Sequence, residues 1–356
     1  MAAEPAATGE AAAGLWDDIV RVYERAESSG ACSKTETQVD VWWDAAMGVE
    51  FVLRVATALK AKPQGPQAAE RRASTPAEVT AGAAGASAPP PPPPPPPTWR
   101  NPFLPPEPDL FVRHLGPAHS LVLNKFNVVR HHTIVITREF RSQAEPLYGG
   151  DLAATLEVVE AMPGGGLAFY NCGPNSGRSQ PHKHLQVVPL PFKEGAAPLA
   201  PVHGLVEAVA AATAAAGAAS GGRAAPLQAL ELRQLPYRCY AALLPESPSP
   251  EQLESAFNSL LQLAHPGYTY VPPVQLDGPP TDAASAAAAA AGSVSYNVLL
   301  TRQWLMLVPR RAERFGPLAP NSLAFAGTML VRSEEELEFV RQAGPSGILA
   351  QVGEPW

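Results

Sequence analysis

The stretch Gln180-Pro181-His182-Lys183-His184-Leu185-Gln186-Val187-Val188 constrains the fold more than any other part of the chain. Side chains two apart on an extended strand point to the same side. The alternation therefore predicts a strand whose one face carries His182, His184 and Gln186 while Leu185 and Val187 enter a core. Such a face suits phosphorus chemistry. A neutral imidazole is a good nucleophile near pH 7, a second His can fix its tautomer, and an amide can hold a phosphoryl oxygen without supplying a proton. Two histidines at this spacing could equally be metal ligands or chance, so the flanking residues have to decide.

A net charge of −7 steers neither nucleic acid nor an anionic membrane toward the chain, and any anionic ligand must meet a local positive site. Cys32, Cys172 and Cys239 form no C-x-x-C pair, which argues against a disulfide framework or a cysteine zinc cluster and for a reducing compartment. No apolar run reaches membrane-spanning length without interruption. The first twenty residues carry Glu4, Glu10, Asp17 and Asp18 and no basic residue, which fits neither a secretory signal nor a transit peptide. The expectation is a cytoplasmic protein with no membrane or nucleic-acid partner.

Residues 1 to 14 are Ala/Gly/Glu-rich and expected to be disordered, with a helix from Leu15 to Glu27 presenting Leu15, Ile19, Val22 and Tyr23 on one face. A Pro/Ala-rich insertion over 64–98 contains nine consecutive prolines, Pro89 to Pro97. A polyproline II spacer is the stronger reading, although such a tract can also be a weak ligand for aromatic grooves. Between Leu110 and Pro191, strands are expected at Ser120–Leu123, Thr133–Thr137, Leu167–Asn171 and His184–Val188, with a helix capped by Asp151. Further on, Ser249 opens a helix, Tyr296–Leu300 and Trp304–Val308 form a hairpin, and Ser333 with Glu336 caps a helix stopped by Gly344. This order is neither a βαβ repeat nor a helical array, so the fold class is α+β with antiparallel sheets.

Tyr170 to Gln180 reads as a strand end followed by a Gly/Ser/Asn loop, immediately before the histidines. Backbone N–H groups and hydroxyls of such a loop can cradle a phosphate, and Arg178 could add charge. Asn124-Lys125 ends a strand with an amide suited to ribose hydroxyls and an ammonium suited to polyphosphate. Asn321 to Gly327 combines small residues with an amide near the C-terminus. His114, His119, His131 and His132 read as surface histidines.

Together these motifs resemble the diadenosine tetraphosphate phosphorylases, or ATP adenylyltransferases, of the histidine-triad superfamily, which is related to galactose-1-phosphate uridylyltransferase. The matching segments run in order: Asn-Lys-Phe at 124 to 126, Tyr-Asn-Cys-Gly-Pro at 170 to 174, Ser-Gly-x-Ser-Gln-Pro-His-Lys-His-Leu-Gln at 176 to 186, Ser-Tyr-Asn-Val-Leu-Leu-Thr at 295 to 301, Val-Pro-Arg at 308 to 310, and Asn-Ser-Leu-x-Phe-Ala-Gly at 321 to 327. The resemblance implies a histidine-triad-like antiparallel sheet with packed helices over 15–204 and a C-terminal α+β half over 227–356, with an Ala-rich loop at 277–292. It also implies phosphorolysis of diadenosine tetraphosphate to ATP and ADP through AMP carried on a histidine, with adenylyl sulfate as an alternative donor, by a monomer or dimer.

By position, the resemblance makes His184 the nucleophile. Its substrate contacts would be Lys62, Asn124, Lys125, Asn171, Gly177, Arg178, Ser179, Gln180, Gln186, Asn321, Ser322, Leu323, Thr328 and Arg332. Thr328 and Arg332 stand where the family commonly has Met and Lys. No protein metal site is expected, and Mg2+ or another divalent cation would arrive with the polyphosphate. Among rival functions, a histidine-triad hydrolase would carry a third His where Gln186 stands. A galactose-1-phosphate uridylyltransferase-like enzyme usually has Pro where Lys183 stands. A catalytically dead scaffold fits poorly with an intact His184 and Gln186.

Overall fold

The computed structural model describes residues 8–55, 100–219, 227–268 and 294–356. Lys62, the proline tract and the Ala-rich loop lie outside them. Strands β1 to β14 are Ser33–Lys34, Gln38–Asp44, Val49–Val55, Phe111–Leu115, His119–Leu123, Phe126–Asn127, Thr133–Thr137, Gly166–Cys172, His184–Pro189, Ala229–Glu231, Tyr240–Leu243, Tyr296–Leu300, Trp304–Pro309 and Thr328–Val331. Helices α1 to α7 are Thr8–Ser29, Gly149–Ala161, His203–Ala219, Pro250–Ala264, Ser322–Phe325, Glu334–Ala343 and Pro345–Val352.

Nine strands form one sheet in the order β10-β11-β13-β12-β8-β9-β7-β5-β4, every neighbouring pair antiparallel. The α+β expectation is met, and β12 bonds to β8, so strands of the N- and C-terminal halves share this sheet. A second sheet, β14-β3-β2, departs from the antiparallel expectation because β14 runs parallel to β3. As the Ser333 cap predicts, the chain after Val331 continues as α6, stopped at Gly344, and then α7, over that second sheet.

Burial follows the sequence periodicities. Leu15, Ile19, Val22, Tyr23 and Ala26 of α1 are all at most 2% exposed, a stripe at helical spacing that packs with α2 and α4 on one face of the large sheet. This helix begins at Thr8 rather than Leu15, so the segment expected to be disordered is helical from there on. Ser249 caps α4 with Gln252 in a capping box. Asp151 is not the cap of α2: Tyr148 holds that position, and the Asp151 carboxylate reaches back to accept from the Tyr148 N–H at 3.0 Å.

The other face of the large sheet packs on β3, β14 and helices α3, α6 and α7 through Leu167, Phe169, Val188, Phe51, Leu53 and Val331. Fully burying each such side chain stabilises the fold by about 1.5–3 kcal/mol. Between the two sheets the packing opens into a cavity of about 390 Å3. Among the described residues no helix is long and apolar enough to cross a membrane.

Candidate active site

Strand β9 forms one wall of the cavity. His184, Gln186 and Val188 line it, while Leu185 and Val187 enter the core on the opposite face, as the alternation requires. His182 corrects the expectation of two histidines sharing that wall. It precedes β9 in an isolated bridge with Ser142, is fully buried, and does not line the cavity. Its Nε2 donates to the Thr137 carbonyl at 3.0 Å, and Nδ1 accepts from the Asn101 amide at 2.8 Å.

What His182 supplies to its neighbour is its backbone. The His184 Nδ1 lies 2.7 Å from the His182 carbonyl oxygen, which can only accept, so Nδ1 carries the proton and Nε2 keeps its lone pair. Burial pushes the His184 pKa down to about 4, leaving the ring neutral at pH 7. Phe103 packs against this ring at 5.3 Å. The result is a buried, tautomer-fixed imidazole whose Nε2 is unprotonated.

A buried glutamine holds the backbone there. The β8–β9 ladder ends with Phe169 opposite Gln186, and two residues further along the same register Asn171 would face His184 as a rung. Gln143 fills that rung: its Oε1 accepts from the His184 N–H at 2.7 Å, and its Nε2 donates to the carbonyls of Asn171 at 3.0 Å and His184 at 3.2 Å. Gln143→Ala orphans all three groups, each costing about 1–3 kcal/mol when buried. The expected result is a fall in kcat of roughly 10- to 100-fold with little change in KM, because His184 is displaced rather than the substrate contacts. Steady-state kinetics on the folded variant check this, and an unchanged kcat would contradict it.

The loop after β8 is held from below. Gly173 has φ +83°, and a Cβ there would lie 2.2 Å from the Val294 carbonyl oxygen, so only glycine fits. Asn297 donates to the Asn171 side-chain oxygen at 2.8 Å and to the Ser176 carbonyl at 3.0 Å, and Arg310 donates to the Pro320 carbonyl at 3.0 Å. Burial lowers the Arg310 pKa to about 9.

Asn124, Lys125, Ser179, Gln180, Gln186, Asn321, Leu323 and Thr328 join His184 around the cavity. The other expected contacts among the described residues do not line it. Asn171 and Ser322 are at most 3% exposed and bond to each other at 2.7 Å beneath the loop. Gly177 packs on Asn321, Arg178 lies off the cavity wall, and Arg332 faces Glu336 at the start of α6. Lys125 lines the cavity but its ammonium is held by both Glu107 carboxylate oxygens at 2.8 and 3.0 Å. Thr328 donates to the Val52 carbonyl at 2.9 Å, which fixes the floor of the site.

Several neighbours carried no readable signal. Phe103 and Gln143 are isolated loop residues, and Arg54 looks like a solvated position on β3, yet Phe103 and Arg54 line the cavity. His119 and His132 are buried rather than on the surface, at 7% and 8% exposure. His119 pairs with Asp151 at 2.8 Å, and His132 lines the cavity with its Nδ1 accepting from Asn124 at 3.0 Å.

Comparison with known proteins decides the family. The Ap4A phosphorylase N-terminal domain matches residues 96–208 and the ATP adenylyltransferase C-terminal domain matches 233–355. The diadenosine 5',5'''-P1,P4-tetraphosphate phosphorylase 2 of Saccharomyces cerevisiae is 30% identical over 256 residues, 67% of this chain and 70% of that protein. The chain belongs to the Ap4A phosphorylase/ATP adenylyltransferase family. The crystal structure of yeast Ap4A phosphorylase Apa2 in complex with AMP is similar at TM-score 0.67 and 25% identity, covering 96% of this chain and 98% of that one. The Apa2 complex with Ap4A has the same TM-score at 24% identity, with the same shares covered, and adds to the likeness in fold. Within the family's two domains, His184 falls in the N-terminal match and Asn321 to Thr328 in the C-terminal one. Arg54 precedes both.

Proposed function

We propose that this enzyme phosphorolyses diadenosine tetraphosphate to ATP and ADP by transferring AMP through His184. The observation that carries the reading is the His184 ring itself: buried, neutral, with Nδ1 protonated toward the His182 carbonyl and Nε2 unprotonated beside the cavity. The family supplies the reaction class.

In the first half-reaction the Nε2 lone pair forms a bond to an α-phosphorus, and the bond from that phosphorus to the bridging oxygen breaks, with the electron pair leaving on ATP. In the second, a phosphate oxygen attacks the same phosphorus, the N–P bond breaks, and the pair returns to Nε2 as ADP departs. Splitting one displacement into two lowers each barrier. Positive charge on the adenylated ring is stabilised by the Nδ1–H···O=C bond to His182. Ser179, Gln180 and Asn321 offer neutral donors to phosphoryl oxygens, and Asn124, whose amide nitrogen donates to the Phe126 carbonyl and His132, offers its side-chain oxygen to a ribose hydroxyl. Adenylyl sulfate presents the same α-phosphorus with sulfate as leaving group, and the same two steps would convert it to ADP.

Mg2+ fits as a passenger of the substrate. Glu107 is the one carboxylate lining the cavity among the described residues, and it is paired with Lys125. A divalent ion held by the polyphosphate's own oxygens would screen their charge. Three free, buried cysteines suit the cytosol.

Gln186 sets the fate of the intermediate. Its amide can orient a phosphoryl oxygen but cannot exchange a proton with water as a His could. Gln186→His is expected to lower phosphorolysis and raise the share of intermediate released as AMP. Chromatography of ADP and AMP across a phosphate series measures this, and an unchanged ratio in an active variant would move acceptor choice elsewhere. The function as a whole is tested by incubating the purified protein with diadenosine tetraphosphate and phosphate. ATP and ADP in equal amounts support it, and two molecules of ADP or AMP plus ATP would refute it.

A further inference from the structure

Arg54 stands on β3, lines the cavity with His184, and pairs along the parallel ladder with Leu330, which lines it too. One terminal nitrogen donates to the Phe192 carbonyl. Its Nε is fully buried and has no acceptor among the described residues. Burial lowers the pKa of this guanidinium, and no carboxylate offsets that effect. A buried charge is normally paired, since an isolated one is costly. Lys125, the other Lys or Arg on the cavity wall among the described residues, shows the usual solution in its pairing with Glu107.

The missing partner is an anion that enters the cavity. A guanidinium stays protonated and its planar fork matches phosphate oxygens. Displacement at phosphorus proceeds in line, so the group leaving the α-phosphorus lies opposite the His184 Nε2. The second half-reaction reverses the geometry, and the incoming phosphate must occupy that same position. Arg54 lines the same cavity as His184, from the second sheet rather than β9's own.

Resting on the proposed adenylyl transfer, we propose that Arg54 binds the phosphate oxyanion on the far side of the α-phosphorus, first as the departing polyphosphate and then as the acceptor. Charge developing on the leaving oxygen is neutralised there, and the same contact then draws phosphate in for the return step.

The test uses the full chain with Arg54→Gln and Arg54→Lys. Arg54→Gln is expected to slow the single-turnover release of ATP from diadenosine tetraphosphate and to raise the KM for phosphate, each by at least about tenfold. Arg54→Lys, which keeps the charge but loses the fork, should recover part of both. Inorganic tripolyphosphate, a probe without nucleoside, should raise the melting temperature of the wild type and of His184→Ala but not of Arg54→Gln. That arm separates this inference from the function: a wild type that makes no ATP and ADP refutes the reaction, while tripolyphosphate binding still reports on Arg54. Loss confined to ATP release assigns the oxyanion to the departing polyphosphate, and loss confined to phosphate KM assigns it to the acceptor. A folded Arg54→Gln or Arg54→Lys whose ATP release, phosphate KM and tripolyphosphate binding all stay within about twofold of wild type overturns the proposal.

Discussion

His184→Ala lowers turnover by at least about a thousandfold, because the variant has no group able to carry AMP and removing a covalent nucleophile removes the whole two-step route. Binding should survive, since the cavity keeps Gln186, Asn124 and the loop that ends at Gln180. The pH behaviour follows from the depressed pKa. With His184 titrating at about 4, its neutral form is complete at pH 6 to 8, so its own ionisation puts no acid limb in that range. Stability behaves differently. The unfolded imidazole takes up its proton near 6.5 and the folded one only near 4, so the unfolded chain binds more protons between these values. Stability is therefore lost as pH falls from about 6.5 toward 4, and His184→Ala should lose less over that window. Melting curves of both proteins from pH 7 to pH 4.5 check the sign.

Asp151→Ala is expected to destabilise the fold by about 3–5 kcal/mol and lower the melting temperature by on the order of 10 °C. Lys183 stands between the two histidines but points to the other side of the chain, where its ammonium is 1% exposed. It donates to the Asp151 carboxylate and to the Pro146 carbonyl, both at 2.7 Å, and lies 4.4 Å from the Tyr148 ring centroid. Asp151 also accepts from His119 at 2.8 Å. Burial alone would raise the carboxyl's pKa, but Lys183 and His119 together hold it well below the usual carboxylate range. That stabilisation is present above the unfolded value near 3.9 and is lost as pH falls further. Removing the carboxylate leaves Lys183 charged and buried with only the Glu145 carboxylate, 4.0 Å away, as counter-ion, whereas Asp151→Leu combined with Lys183→Met should recover most of the loss. Chemical denaturation of the single and double variants measures it. A loss under about 1 kcal/mol in Asp151→Ala would show that the pair is relaxed by solvent.

The sequence was most legible where one periodicity acted alone. The α1 stripe, the β12–β13 hairpin and the inward Leu185 and Val187 follow directly from spacing, because local geometry fixes which side each residue faces. The family motifs likewise named most of the polar side chains that line the cavity. What failed was long-range. His182 shares the parity of His184 but lies before the first rung of β9, so parity alone misplaced it. Asn171 sits in a motif expected to touch nucleotide, yet its side-chain oxygen is engaged by Asn297 and Ser322, residues 126 and 151 positions away. Gln143 completes the sheet at His184 from a loop with no periodic pattern, and Arg54 reaches the cavity from a separate sheet. Partners that distant leave no mark in a local pattern.

Mapping the adenylyl group tests the central claim most directly. The full-length protein is incubated with diadenosine tetraphosphate and no phosphate, quenched in alkali, and digested for peptide mass analysis. The account predicts one AMP per chain on His184, stable in alkali, lost in acid as a phosphoramidate should be, and discharged to ADP when phosphate is added. An adduct on His182 or another residue, or full turnover with no adduct on any residue, would contradict it.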